Sequence, residues 1–463
     1  MADAAPAPDA KAEPRVELLT GWSRTAPTAA TVVAPGSESE IDGLLAEAGP
    51  RGLLARGLGR SYGDAAQNAG GTVVDGTALA GIHDLDLGRG IVRADAGVSL
   101  DTLIRALLPF GWFVHVTPGT RQVTLGGALA ADVHGKSHHF DGSFANHVVS
   151  FTVHTPTGTV EVTPESDPEL FWGTAGGMGL TGVIGPVTMR LLPVRTSMIR
   201  AENIRFPDLD SVMAAMAGED ADIRYSAAWI DCLAQGASLG RSILSRGDHA
   251  EVEDLPAKLR RDPFRFGGPA KIGAPPWAPN GLLNRASIAA FNELWYRVSP
   301  ALHGGHGVET ISSFFHPLDG VREWNRLYGS RGFLQYQYVV PDSAHDAVRT
   351  SIEMLSEARA ASFLAVLKRF GPGNPGPLSF PQPGWTLALD IPATVPGLDA
   401  LLDRLDGLVA GAGGRIYLAK DSRLRPELVP VMYPDLDRFA ALRARVDPEC
   451  VLQSDLQRRL SLP

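Results

Sequence analysis

From Leu53 onward, short apolar runs alternate with glycine-bearing turns: LLARGLG, GTVVD, GIVRADAGV, VVSFTVHTPTGTVEV and LTGVIGPVTMRLLPV. Runs of this length, bounded by Gly, Asp and Pro, predict strands. Two interposed segments instead carry apolar residues three and four apart. SESEIDGLLAEA, behind a Ser cap, and SLDTLIRALLPFG, ending at Gly111, predict helices. The helices do not follow the strands one for one, so the pattern predicts an α+β fold rather than a doubly wound parallel sheet. After the LLPV at 191–194 the texture changes, and aromatic punctuation (RYSAAWID, NELWYRV, FFHP, FLQYQYVVP) becomes dense. This shift predicts a second domain. Inside it, residues 267–284 hold too much Pro and Gly for regular structure and predict a mobile loop. From Gly411, GAGGRIYLAKDSRL reads as a turn, a short strand and a loop, with helical segments after it.

A chain of 463 residues exceeds one hydrophobic core, which supports two domains. Its 44% hydrophobic and 20% charged residues place it among globular proteins. A net charge of −9 without any Lys/Arg-rich run argues against nucleic acid as a partner. Cys232 and Cys450 stand in unrelated contexts, so neither a disulfide framework nor a cysteine metal site is expected. Residues 1–15 are Ala/Pro-rich and charged, and predict a disordered leader without a secretory apolar core. No uncharged apolar run reaches the ~18 residues of a membrane span. The expected location is therefore cytoplasmic or peripheral to the cell membrane.

The densest chemical signal is Pro118–Val148, PGTRQVTLGGALAADVHGKSHHFDGSFANHV, which packs glycines and histidines around one short apolar segment. About sixty residues earlier lies GLGRSYGD, from Gly57 to Asp64, where glycines allow close backbone approach and Ser61 and backbone N–H groups can donate to a diphosphate. Two such loops suit a dinucleotide, and the histidines suit a flavin pocket. His134, His138, His139 and His147 also invite a metal reading, but their spacing matches no regular helical zinc site, and no metal is expected.

GLGRSYGD, PGTRQVTLGGALAADVHGKSHH, ELFWGTAGGMGLTGVI, FLQYQYVVP and YLAKDSR occur in the order found in FAD-dependent oxidases of the vanillyl-alcohol oxidase type, and the chain resembles that family from Leu19 to Ser454 and beyond. The resemblance implies a split FAD-binding domain, 16–195 plus 413–463, and a substrate-binding cap, 196–412. It places Gly57, Gly59, Arg60, Ser61, Tyr62, Gly63, Gly119, Thr124, Gly126, Gly127, His134, Ile184 and Tyr417 on FAD. Many relatives tether the flavin through a histidine in the first loop. Here Arg60 takes that place, so a non-covalent FAD is expected.

Among these enzymes the chain closely resembles oxidases of a decaprenylphosphoryl-linked ribose in actinobacteria. The activity implied is oxidation of the 2′-hydroxyl to a 2′-keto sugar, the first half of an epimerisation that feeds cell-wall arabinan. Implied partners are the polyprenyl-phosphate-linked ribose, an NAD(P)H-dependent short-chain reductase, and a quinone or oxygen as electron acceptor. Peripheral membrane contact fits this setting, and the resemblance leaves the periplasmic face open. Rival readings are an FAD-dependent oxidase of an aldonolactone, alditol or natural-product sugar, and a sugar- or nucleotide-binding protein without catalysis.

Such an oxidation needs a base for the hydroxyl proton and a carbon held over the flavin. Lys420 is the candidate base or positioning group, with Asp421 and Arg423 expected to orient it; a surface Lys–Asp pair is the alternative. Gln335 and Gln337 alternate with tyrosines, share one strand face and suit sugar hydroxyls, unless that face is a solvent-exposed edge. Lys136 and Lys368 are candidates for the substrate phosphate, with exposed lysines as the alternative. Trp229 and Trp385 are expected to pack or form an apolar wall. Ala388 stands where mycobacterial members resemble GWNxCVD with a reactive cysteine, Thr386 replaces the Asn, and Phe315 replaces a usual tyrosine. These three changes fall in the expected substrate pocket.

Overall fold

The computed structural model describes residues 14–218, 222–267, 272–302 and 306–463. Most of the expected leader and part of the expected loop, residues 268–271, lie outside the described residues. The leader's end is shorter than expected, because Arg15 already pairs with Val32 in a strand.

Strands and helices combine as α+β, as the texture of the sequence predicts. The N-terminal part contains two sheets. Arg15–Leu19, Thr28–Val33, Thr72–Asp75 and Leu53–Arg56 form one, in that order, with both pairings of Thr72–Asp75 parallel. The other is antiparallel and centred on Val183–Pro193, which lies between Ile91–Ala94 and Val148–Thr155. The predicted helices flank these sheets. Glu38–Ala46 starts at Ser37, whose hydroxyl accepts from the Glu40 N–H. Leu100–Leu107 starts likewise at Ser99 and runs on through a short 3-10 turn to Gly111, which closes it at φ +77°.

An antiparallel eight-stranded sheet dominates the second part. Its order is His306–Thr310, Met198–Phe206, Ser242–His249, Tyr225–Ile230, Ala365–Phe370, Gly384–Pro392, Phe333–Val340 and Arg415–Ile416. Side chains alternate across its central strands. Tyr336, Tyr338, Leu367, Leu387 and Leu389 point to one face and pack in the main hydrophobic cluster with Ile352, Leu355, Leu402 and Leu405 of the covering helices. Gln335, Lys368 and Ala388 are left on the opposite face, toward the N-terminal part.

Two details depart from the expected boundaries. The strand Arg415–Ile416 pairs with Tyr338 and Val339 in the eight-stranded sheet, so the expected limit at 413 separates this strand from the rest of its sheet. Beyond it the tail returns to the N-terminal sheets: Leu452 bridges Leu53, Arg458 donates to Asn68 at 2.9 Å, and Arg459 binds the Asp64 carboxylate. The Pro/Gly-rich segment also holds a regular pair, Ile272–Gly273 alongside Val321–Arg322, where a structureless loop was expected.

Candidate functional site

A cavity of about 1360 Å³ separates the glycine loops from the polar face of the eight-stranded sheet. Of the residues singled out in the sequence, it brings together Gly57, Gly59, Arg60, Ser61, Tyr62, Gly119, Thr124, Gly126, Gly127, His134, Lys136, Ile184, Gln335, Lys368, Ala388, Tyr417 and Lys420. Gly63, Gln337 and Thr386 lie outside its wall. Gly63 abuts the chain at Asp421, where an added Cβ would fall 1.9 Å from the carbonyl oxygen.

The two glycine loops meet each other at a residue without a side chain. A Cβ on Gly57 would sit 2.3 Å from Thr124 Oγ1. That hydroxyl is already engaged, because it caps Leu125–Ala130 by accepting from the Gly127 N–H at 3.1 Å. Gly119, by contrast, has no atom within 4 Å of an added Cβ and presents bare backbone. Tyr62 is held from both sides, its N–H donating to Ala419 O at 2.9 Å and its ring edge-on to Phe333. Arg60 stacks its guanidinium 4.0 Å over Trp22 and donates to Leu58 O at 2.7 Å.

Gln337 Nε2 lies 2.9 Å from His134 Nε2 and 2.9 Å from Thr386 Oγ1; with the amide in this orientation it donates to both, and the His134 proton resides on Nδ1. Burial, then the charges of Lys368 and Lys420, hold the imidazole well below its ordinary pKa, hence neutral. Nδ1 is buried without a partner among the described residues. An unpaired N–H and the bare backbone at Gly119 fit a flat heteroaromatic group with acceptor edges and an attached diphosphate. Gln337 and Thr386, expected on the sugar, instead support this histidine from behind.

Lys136, Lys368 and Lys420 converge on the cavity. Burial lowers Lys136 to about 8, with Glu309 opposing and Lys368 adding repulsion. Lys368 is likewise lowered to about 8 by burial. Lys420 falls to about 7, through burial first and the Lys368 charge second, while Asp390 pulls the other way. Lysines so weakened by their surroundings form a site prepared for an anion. An apolar wall of Trp229, Phe291, Trp295, Phe363 and Leu364 continues from them.

The expected orienting partners of Lys420 are elsewhere. Asp421 caps the N–H groups of Arg423 and Leu424 and pairs with Arg459, while Arg423 binds Asp403 and Asp406. A tight turn, with Lys420 N–H on Tyr417 O, sends consecutive side chains apart. The carboxylate that does face Lys420 is Asp390, fully buried and absent from the sequence reading. Its only legible signal is an acid closing an otherwise apolar strand, TLALD. The contact itself depends on register, which sets Asp390 opposite Gln335.

The four histidines of the second loop disperse. His138 packs on Phe370, His139 donates to Ile223 O at 2.7 Å, and His147 stacks on His115 at 4.0 Å. His115, Asp141 and His147 bring ligand atoms within 4.8 Å, but the Asp141 carboxylate already accepts from Arg224 at 2.5 Å. Phe315 lines the cavity and packs against Tyr225 and Phe113. Trp385 is buried away from the cavity wall, as a packing residue.

The profile of a family described as "FAD binding domain" matches residues 29–163. Decaprenylphosphoryl-beta-D-ribose oxidase of Mycolicibacterium smegmatis is 46% identical over 96% of this chain and 97% of its own length. An uncharacterized protein in the mprA 5′ region of Streptomyces coelicolor is 43% identical over 79% of this chain and all of its own length. The L-gulono-1,4-lactone dehydrogenase of Mycobacterium tuberculosis is 30% identical, over 36% of this chain and 38% of its own length.

Proposed function

This chain belongs to the decaprenylphosphoryl-β-D-ribose oxidase family of FAD-binding proteins, and from that premise we propose that it oxidises the 2′-hydroxyl of a polyprenyl-phosphate-linked ribose to the ketone. The convergence of three half-buried lysines beside an apolar wall in one cavity carries this reading. Lys420 takes the hydroxyl proton: at about 7, a large fraction of its amine is neutral near physiological pH. Bound FAD supplies the acceptor for the hydride that leaves C2′, so the sugar loses one proton and one hydride and gains a C=O bond. Gln335, at the cavity wall, orients the ribose hydroxyls. Lys136 and Lys368 hold the phosphate, whose charge restores the protonated form that burial disfavours. Gly57, Gly59, Ser61, Gly119 and Thr124 would hold the FAD diphosphate region, and His134 and Tyr417 its ring system.

The 2′-keto sugar leaves unreduced, and a separate NAD(P)H-dependent reductase returns hydride to the other face. A quinone or oxygen recovers the electrons. The experiment is anaerobic mixing of the yellow protein with prenylphosphoryl ribose, free ribose, alditols and aldonolactones. Bleaching by the lipid-linked ribose alone is the expected result. Bleaching by a small sugar alone would replace the substrate, and bleaching by none would remove the oxidase reading.

Lys136→Met and Lys368→Met each remove one charged hydrogen bond to phosphate, worth roughly 1.5–3 kcal/mol. Each is expected to weaken the lipid-phosphate substrate about tenfold or more in KM, with a smaller effect on kcat. Equal loss with a phosphate-free analogue would contradict the assignment.

No helix among the described residues is long and apolar enough to cross a membrane. A lipid tail must still reach the cavity, and its rim at Gly273–Pro276, Phe291 and Trp295 is flanked by exposed Ile272, Trp277, Leu282 and Leu294. This patch fits peripheral contact with a bilayer. Ile272→Ser/Trp277→Ser/Leu294→Ser is expected to reduce co-sedimentation with anionic vesicles several-fold while flavin absorbance stays unchanged. Undiminished sedimentation would remove the patch from the account.

A further inference from the structure

The oxidation proposed above leaves a positive charge on Lys420, in a cavity where Lys368 already repels it. The groups facing Lys420 come from four elements. Lys368 lies on Ala365–Phe370, Asp390 on Gly384–Pro392, and His134 and Tyr62 on the two glycine loops, with the Lys420 ammonium 5.5 Å from the Tyr62 ring centroid. Asp390 is the acidic member of this set, its carboxyl raised by burial to about 7 while the Gln335 hydrogen bond and the Lys420 charge draw it down.

Its hydrogen bonding differs from that of Asp132, Asp447 and Asp406. Asp132 fills both oxygens, with Ala145 N–H on one and Asn374 and Ser379 on the other. Asp447 fills both through Val451 N–H, Leu452 N–H and Arg443. Asp406 uses Tyr336 for one and Arg423 for the other. Asp390 receives Gln335 Nε2 on Oδ1, and its Oδ2 is buried with no hydrogen-bond partner among the described residues. Asp141 and Asp421 also keep a buried Oδ2 without a hydrogen bond, but each is ion-paired to an arginine, Arg224 and Arg459, whereas Asp390 has no such ion pair among the described residues. An open oxygen whose charge acts on a lysine that alternates between charged and neutral is what a counter-ion needs.

We propose that Asp390 is a positioning residue for the oxidation, the counter-anion that stabilises the Lys420 ammonium formed when the sugar hydroxyl gives up its proton. The O–H bond of the sugar breaks, an N–H bond forms on Lys420, and the new cation is paired by the carboxylate; after product leaves, Lys420 returns that proton to solvent. Gln335 binds Asp390 and lines the cavity, so the sugar-facing amide and the counter-ion are fixed together. This inference rests on Lys420 being the proton acceptor.

The test is the pH profile of anaerobic flavin reduction in Asp390→Asn, which keeps the shape of the side chain and the backbone bonds to Leu364 and Ser362. Burial and the Asp390 charge act oppositely on Lys420, so loss of the charge lowers its proton affinity. The acid limb of the profile should move about one pH unit toward lower pH, with a slower plateau, because a weaker base remains. A limb that stays in place or moves upward overturns the proposal. Flavin absorbance reports whether the variant folds. If it does not, Asp390→Leu/Gln335→Met removes both members of the buried bond together, which proteins tolerate better than loss of one, and the same downward shift is expected. Lys420→Met run alongside separates the two levels of the account. Normal bleaching there removes the parent reading, whereas lost bleaching with an unmoved Asp390→Asn limb removes this inference alone.

Discussion

Lys420→Met is expected to lower the rate of flavin reduction by the lipid-linked ribose by about 10²–10⁴-fold, the usual range for loss of a positioned acid–base group. FAD content and absorbance should be unchanged. The side chain sits at the cavity wall, over the Tyr62 ring, and its backbone is pinned by Tyr417 O, so methionine fills the same volume without moving the turn. In the unaltered protein the reduction rate should rise with pH through about 7, since burial and Lys368 lower Lys420 to that value and its neutral form is the active one. Lys420→Met should abolish that limb. Stopped-flow bleaching across pH, with KM and kcat separated, checks both points. A variant with normal kcat and a raised KM would make Lys420 a binding group only.

Gly57→Val is expected to yield a colourless protein. A Cβ at this position meets Thr124 Oγ1 at 2.3 Å and Thr124 Cγ2 at 3.1 Å, and Thr124 cannot withdraw without uncapping Leu125–Ala130. Losing the cap costs about 1 kcal/mol. The larger cost is displacement of one glycine loop from the other, and, with these loops as the proposed FAD cradle, flavin affinity should fall by 100-fold or more, from the sensitivity of such sites to ångström misplacement. Absorbance at purification and fluorescence titration with added FAD measure it. Gly119→Ala is the contrasting variant: its Cβ meets no protein atom, so the fold should persist and any lost affinity reports the ligand itself. Acid precipitation of the parent protein should release all yellow colour to the supernatant, if Arg60 takes the place of the tethering histidine as the family resemblance implies. Colour retained in the pellet would contradict a dissociable cofactor.

Much of this fold is legible because its signals are local. Ser37 and Ser99 announce helix starts, Gly111 a helix end, and alternation in FLQYQYVVP puts both glutamines on one face, opposite two tyrosines that enter the core. Which neighbour that face meets is not local. Register sets Gln335 against Asp390 and Gln337 against Ala388, yet Gln337 turns to His134, more than two hundred residues away. Adjacency in sequence also misleads at Lys420, where Asp421 and Arg423 bind Arg459 and the Asp403/Asp406 pair instead. The histidine-rich loop looks like one cluster in sequence. In space only His134 reaches the cavity, because the loop passes through two short helical turns that point its other imidazoles at Phe370, Ile223 and His115.

The central claim concerns one bond, C2′–H of a polyprenyl-phosphate-linked ribose, and the most direct measurement is the rate of anaerobic bleaching with substrate deuterated at that carbon. The account predicts a several-fold primary isotope effect on bleaching, retained in Asp390→Asn and accompanied by a product two hydrogens lighter than the substrate. Bleaching at an unaltered rate, with deuterium retained in the product, would show that the hydride leaves another carbon and would contradict the account.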